Sequence, residues 1–390
     1  MPKRKKYRLP DARSSPASNF RYWLLTLALA TIVGWLWWQT GTRPRPLSPL
    51  IGPPVKLAPA EPVTPRQPAG SARSAPTPIP APMVVPQIPA PAPAPTQPVA
   101  PVAGFPRPVQ NVLEAQLALV GHGISPGSLD GAMGSQTRAA LMAFQRQTHL
   151  PVTAELDAST RDALFLTRPP YTSFILASND LARLQPLAPT WVGKSQQTGL
   201  DFETALELVA EKTFTHPNLI KRLNPNIDWA NVPPGTAVQV PNGTYPDPPA
   251  KAAFVFIHLA SRTLEAFDSG TNLLAHFPCS IAQHVDKRPV GELHVAVIAP
   301  NPNYTFDPDI FPESPEAQQL NHKLVLPPGP NNPVGVAWIG LDKPGYGIHG
   351  TPKPEEVGRT ESHGCFRLAN WNAEYLLRLV AVGTPVYVVE

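Results

Sequence analysis

The sequence predicts a multidomain chain: a small all-α module and an α/β segment, followed by a mainly β domain, a sandwich or open barrel with one packed helix. Three observations carry this. At 390 residues the chain exceeds one ordinary core. Prolines, 54 in all, crowd between Pro44 and Pro108, where they make up about a third of the residues. After Ala252 the apolar pattern also changes, from helical spacing to short runs rich in Val, Ile and Phe.

The formal net charge of +4 is unevenly spread. Residues 1–21 hold Lys3, Arg4, Lys5, Lys6, Arg8, Arg13 and Arg21 against Asp11, a sum of +6, which leaves the rest near −2. A nucleic-acid binder needs its basic residues on a folded surface, so that class is excluded as a partner. This basic tail precedes the uncharged run from Trp23 to Trp38. Residues 22–39 are therefore expected to cross a membrane, with Trp35, Trp37 and Trp38 in its interfacial belt. The basic flank stays cytoplasmic, which puts the remainder in the periplasm, anchored to the inner membrane by a single pass. A cleaved signal peptide is the competing reading, but Ala28-Leu29-Ala30 lies too early, inside the apolar stretch. Residues 40–108 bury too little apolar surface to fold and are expected to form an extended, polyproline-like linker.

Residues 109–168 read as three short helices. VQNVLEAQLALVGHG has helical spacing and ends in glycines. A turn at Asp130-Gly131 leads to a second amphipathic helix, with Ser135 as N-cap and Ala139, Leu141, Met142 and Phe144 as apolar positions. A third helix spans about Ser159 to Leu166. The segment resembles the peptidoglycan-binding type 1 domain through Gln116, SLDGAMG, Thr137-Arg138-Ala139-Ala140 and Phe144-Gln145. It departs from that family at Ala154, where a turn glycine is usual. Residues 169–246 are less patterned. Their second half runs from a helix-like LELVAEK through an Asn224-Pro225 turn to a strand at Ala237–Val240, and resembles a diverged LysM glycan-binding module. A packing spacer without ligand is the alternative.

In residues 252–390, FVFIHL, LLAHFPCSIA, LHVAVIA and VGVAWIGL read as strands. One late helix follows, with Asn370 as N-cap, WNAEYLLRLVAV as body and Gly383 as stop, before a closing strand at Val386–Val389.

Chemistry concentrates in GYGIHGTPKPEEVGRTESHGCFRLANW. A thiol with a pKa of about 8.5 needs a base or a positive neighbour to become a good nucleophile. His349 and His363 can assist Cys365, and the amides of Gly364 and Cys365 suit an oxyanion. Arg367 offers a fixed charge to a substrate carboxylate. Other readings compete. Cys279 and Cys365 could form a disulfide, which would remove the thiol. His349, His363 and Cys365 could bind zinc, although the stretch offers no convincing fourth ligand. All three could also be ordinary buried polar residues.

The same stretch resembles the YkuD-type L,D-transpeptidase family: His349-Gly350-Thr351, a loop, Ser362-His363-Gly364-Cys365, then Arg367. Upstream, RPVGELHVAVIAPNPNYTFDP looks like the family's substrate-loop region, with Arg288 where threonine is usual. The resemblance implies that Cys365 attacks the amide between the L-centre of a diamino acid and a terminal D-alanine. His349 then serves as base, while Ser362, His363, Gly364, Arg367, Gly350 and Thr351 line the oxyanion and substrate site. D-alanine would leave, and an amine of a neighbouring stem would take the acyl group to give a 3→3 cross-link, without metal or organic cofactor. The implied partners are stem peptides and glycan strands of peptidoglycan. Water, a D-amino acid or a protein lysine as acceptor, and a non-catalytic wall tether, are the alternatives.

Overall fold

The computed structural model describes residues 103–311, 314–360 and 364–390. The expected tail, membrane span and most of the linker lie outside them, as do Ser362 and His363.

The first module pairs β1 (Arg107–Pro108) with β2 (Phe165–Leu166) around helices α1 (Val112–Gly121), α2 (Ser135–Gln147) and α3 (Ala158–Ala163). Asn111 caps α1 by accepting the Glu114 N–H at 3.0 Å. Ser135 is not the cap of α2: Gly134 holds that position and Ser135 opens the helix. The inward face of α2 is Ala140, Leu141, Ala143 and Phe144, whereas Met142 is exposed, because a 100° step per residue carries it off the stripe. The third helix stops at Ala163, since Phe165 and Leu166 leave to pair with β1. Ala154 has φ 59°, the left-handed conformation that makes glycine usual there, and its N–H donates to Gln145 Oε1 at 3.0 Å.

In the middle module, β3 (Tyr171–Ile175) pairs antiparallel with β4 (Ala237–Pro241). Between them lie α4 (Ser178–Ala182), α5 (Trp191–Ser195), α6 (Ala205–Lys212) and α7 (Pro217–Leu223). Leu208, Val209 and Ile220 pack against Val238 and Val240 in its core. Strand β3 had no sequence signal beyond its β-rich composition, as its residues are mostly exposed.

The C-terminal domain is one curled eight-stranded sheet, the open-barrel alternative, in the order β13-β12-β11-β8-β14-β5-β6-β7. Its strands are β5 (Phe254–His258), β6 (Thr263–Phe267), β7 (Leu273–Pro278), β8 (Gly291–Pro300), β11 (Ala337–Leu341), β12 (Gly347–His349), β13 (Phe366–Arg367) and β14 (Pro385–Val389). A hairpin of β9 (Tyr304–Phe306) and β10 (Leu324–Leu326) forms a separate flap after β8. Alternation sets the layers: Val255, Ile257, Val386 and Val388 point to the core, where helix α8 (Asn370–Leu379) lays Ala373, Leu376 and Leu379 on them. Asn370 is not the N-cap. Ala369 is, and the Asn370 side chain turns inward. Helix α8 ends at Leu379, before the expected valines, because Val380 is already extended.

The modules interlock. Ser125 N–H donates to the His276 carbonyl at 2.8 Å, and His276 N–H to the Gly123 carbonyl at 3.2 Å. Leu129 likewise exchanges backbone bonds with Phe214 and His216 of the middle module.

Candidate active site

Three neighbouring strands carry the site. Trp338 on β11 is the cross-strand partner of His349 on β12, which is the partner of Arg367 on β13. In the next row, Ile339, Ile348 and Phe366 point into the core. Strand alternation therefore puts Gly340, Gly347 and Cys365, just before β13, on the same side as Trp338, His349 and Arg367. Cys365 lies sixteen positions after His349 in the chain, and parallel pairing of β12 with β13 closes that gap.

His349 is buried, and its Nδ1 lies 2.6 Å from the Gly350 carbonyl oxygen. A carbonyl only accepts, so Nδ1 carries the hydrogen and Nε2 keeps its lone pair. Burial pushes the imidazole down to about 4. The Gly350 carbonyl opposes this and the Arg367 charge adds to it. The ring is thus neutral near pH 7 and ready to take a proton at Nε2. Trp338 stacks on it, with ring centroids 5.6 Å apart and planes 25° from parallel.

Cys365 is half-buried, with Sγ 3.5 Å from the Gly345 carbonyl. Burial pushes its thiol up, while a Gly347 backbone hydrogen bond and the Arg367 charge pull it down. At rest the two groups are therefore a thiol and a neutral imidazole, so a thiolate at Cys365 needs a base to take its proton. Cys279 is not bridged to Cys365; it lies fully buried in the core, where burial raises its thiol strongly.

The His349-Gly350-Thr351 turn is held from behind. Asn370 Oδ1 accepts the Thr351 N–H at 3.0 Å and the Val336 N–H at 3.4 Å. A Cβ on Gly350 would collide with that oxygen, so only glycine fits. Asn370 Nδ2 donates to Glu211 Oε1 of α6 at 2.8 Å. Gly350 thus orients the His349 imidazole, while Thr351 and Arg367 line the adjoining groove.

Sequence reasoning missed Trp338, Asn370 and Tyr304. Tyr304, on the flap, is close enough for the Cys365 charge to act on its phenol, which burial, the first cause, and that charge push up to about 12. Gly340 and Gly347, at facing positions of two strands, were a usable sign that a large ring needs room there.

Residues 252–388 match the YkuD family, described as the L,D-transpeptidase catalytic domain, and residues 108–164 match a putative peptidoglycan binding domain. The C-terminal domain belongs to the YkuD family. A putative L,D-transpeptidase of Bacillus subtilis is 36% identical over 110 residues, 27% of this chain and 53% of that protein. One of Bacillus licheniformis is 26% identical over 46% of this chain and 91% of its own length. A probable L,D-transpeptidase of Escherichia coli is 29% identical over 43% of this chain and 54% of its own. The chain spans about half the length of the first and third. In the L,D-transpeptidase domain, Cys365 and His349 occupy the outer face of the sheet edge formed by β12 and β13.

Proposed function

We propose that the chain is a peptidoglycan L,D-transpeptidase that forms 3→3 cross-links through a thioester on Cys365. The observation that carries this reading is the tautomer of His349: Nδ1–H is committed to the Gly350 carbonyl, which leaves Nε2 as a base on the face that holds Cys365. Nε2 takes the thiol proton as Sγ attacks the carbonyl of the diamino acid residue. The amides of Gly364 and Cys365 receive the oxyanion. As the C–N bond breaks, the imidazolium returns the proton to the leaving D-alanine amine. An amine of a second stem then attacks the thioester, loses its proton to His349 and releases the thiol.

In this reading residues 22–39 anchor the enzyme in the inner membrane with its folded part in the periplasm. Residues 40–102, ahead of the folded first module, at ~3.1 Å each let that part range up to roughly 200 Å. The peptidoglycan-binding module and the LysM-like middle module hold it on glycan, which raises the local concentration of stems.

The test incubates the full chain with tetrapeptide muropeptides. Cross-linked dimers and free D-alanine are expected, with neither from Cys365→Ala. An inert wild type, or an unimpaired Cys365→Ala, refutes the reading.

A further inference from the structure

We propose that Lys194, in the middle module, acts with Arg367 to bind the terminal carboxylate of the donor peptide, so that the middle module completes the substrate groove. This rests on the transpeptidase reading above.

A groove of about 230 Å³ adjoins the catalytic strands. One wall carries Thr351, Lys353, Glu356 and Arg367 of the catalytic domain, and the other carries Trp191 and Lys194 of α5. Helix α5 is fixed there. Trp191 stacks on Phe306 of the flap, with centroids 4.4 Å apart and planes 15° from parallel. The Glu316 carboxylate accepts the Trp191 and Val192 N–H groups at 2.8 and 2.9 Å. These contacts hold the Lys194 backbone at the groove, and its ammonium sits 5.5 Å from the Trp191 ring centroid.

Among the described residues that line the groove, the cations Lys194, Lys353 and Arg367 outnumber the carboxylate of Glu356. Lys353 is paired with Glu356 at 3.4 Å, whereas Lys194 makes no ion pair with a carboxylate among the described residues. Its far side borders a second cavity lined by Glu203, Glu207 and Glu211, and none of these pairs with it. The half-buried Lys194 and the half-buried Arg367 line the same groove, and two cations there suit a carboxylate better than any other group a peptide presents. A tetrapeptide donor carries a terminal carboxylate one residue beyond the bond that Cys365 attacks.

Calorimetric titration of the full chain carrying Cys365→Ala tests the proposal without turnover. Two probes are compared, a tetrapeptide stem with a free C-terminal carboxylate and the same stem amidated there. Adding Lys194→Ala is expected to weaken the free acid about five- to tenfold and to leave the amide unchanged, while Lys194→Arg retains most of the affinity. On the active chain, the same change raises KM with little effect on kcat. Equal losses for both probes, no loss for either, or no binding of either stem overturns the proposal. A wild type that binds with the expected Lys194 pattern but never turns over refutes the transpeptidase reading and leaves the carboxylate site standing. An unchanged melting temperature for Lys194→Ala excludes a folding effect.

Discussion

Trp338 and His349 are cross-strand partners whose rings stack at 5.6 Å, and the indole lies over two glycines of the same sheet face. A Cβ on Gly347 would sit 2.6 Å from the indole Cη2, and one on Gly340 would sit 2.9 Å from Nε1. The glycines thus make room for a ring that fixes the plane of the His349 imidazole.

Gly347→Ala is accordingly expected to displace the indole and, with it, His349. Overpacking of this kind costs about 1–3 kcal/mol. The larger effect should be on chemistry, because Nε2 of this ring is the proposed base for the thiol. Acylation of Cys365 by a carbapenem, followed by mass spectrometry, should slow by about tenfold or more. Wild-type acylation rates in Gly347→Ala would show that the stack has no bearing on the base.

The pH dependence of stability follows from His349. An unfolded histidine titrates near 6.5, whereas burial holds this one at about 4. Between those values the unfolded state binds more protons, so stability falls as pH drops through that window and levels off below it. The full effect is on the order of 3 kcal/mol. Urea unfolding at pH 7 and pH 4.5 should show a loss that His349→Gln reduces. An equal loss in that variant would assign the acid sensitivity to other groups.

How much of this was legible depended on whether a residue's role was local. Cys365, His349 and Arg367 stood out, with β11 beside them, because turn glycines and β-branched runs are short-range signals, whereas the short β12 and β13 carry no such run. Asn370 misled for the same reason. Its position at the start of α8 matched a helix cap, yet its amide bonds Thr351, Val336 and Glu211, residues distant in sequence. Trp338 was hidden because a tryptophan in a strand looks the same whether it packs on core or on the His349 ring. Strand β6 was missed because Glu265 interrupts its apolar run, and only the fold shows that carboxylate among histidines.

Glu211 should make the link between α6 and α8 pH-sensitive. Burial pushes its carboxyl up to about 8, despite the hydrogen bond from Asn370, and the charges of Glu207, Glu374 and Glu355 add to the rise. With the folded pKa above the unfolded one, its stabilising contribution is complete below about 4.5 and is lost as pH rises towards 8. Glu211→Gln keeps an acceptor for Asn370 without the titration. It should raise stability by about 1–3 kcal/mol at pH 8 and change little at pH 4.5. A variant less stable than wild type at pH 8 would contradict the assignment.

Glu265 should stabilise the buried histidine cluster of the catalytic sheet where the first module meets it. Its buried carboxylate meets His276 Nδ1 at 3.1 Å, His258 Nε2 at 3.5 Å and the Arg146 guanidinium of α2. Burial alone would raise its pKa, but hydrogen bonds from His258 and His276 and the charges of His276 and Arg146 hold it well below the usual carboxylate range. With the folded pKa depressed, its contribution is present above about 4.5 and disappears only as pH falls through the lower folded value. Glu265→Ala would also strand His276, which is 2% exposed and whose Nε2 has no partner among the described residues. A loss of about 3–5 kcal/mol is expected, as for breaking a buried charge cluster. Arg146→Ala should cost about 1 kcal/mol or less, because that guanidinium is half exposed to water. Urea unfolding distinguishes the two, and similar losses from both would place the energy in the Arg146 pair and not in the buried histidines.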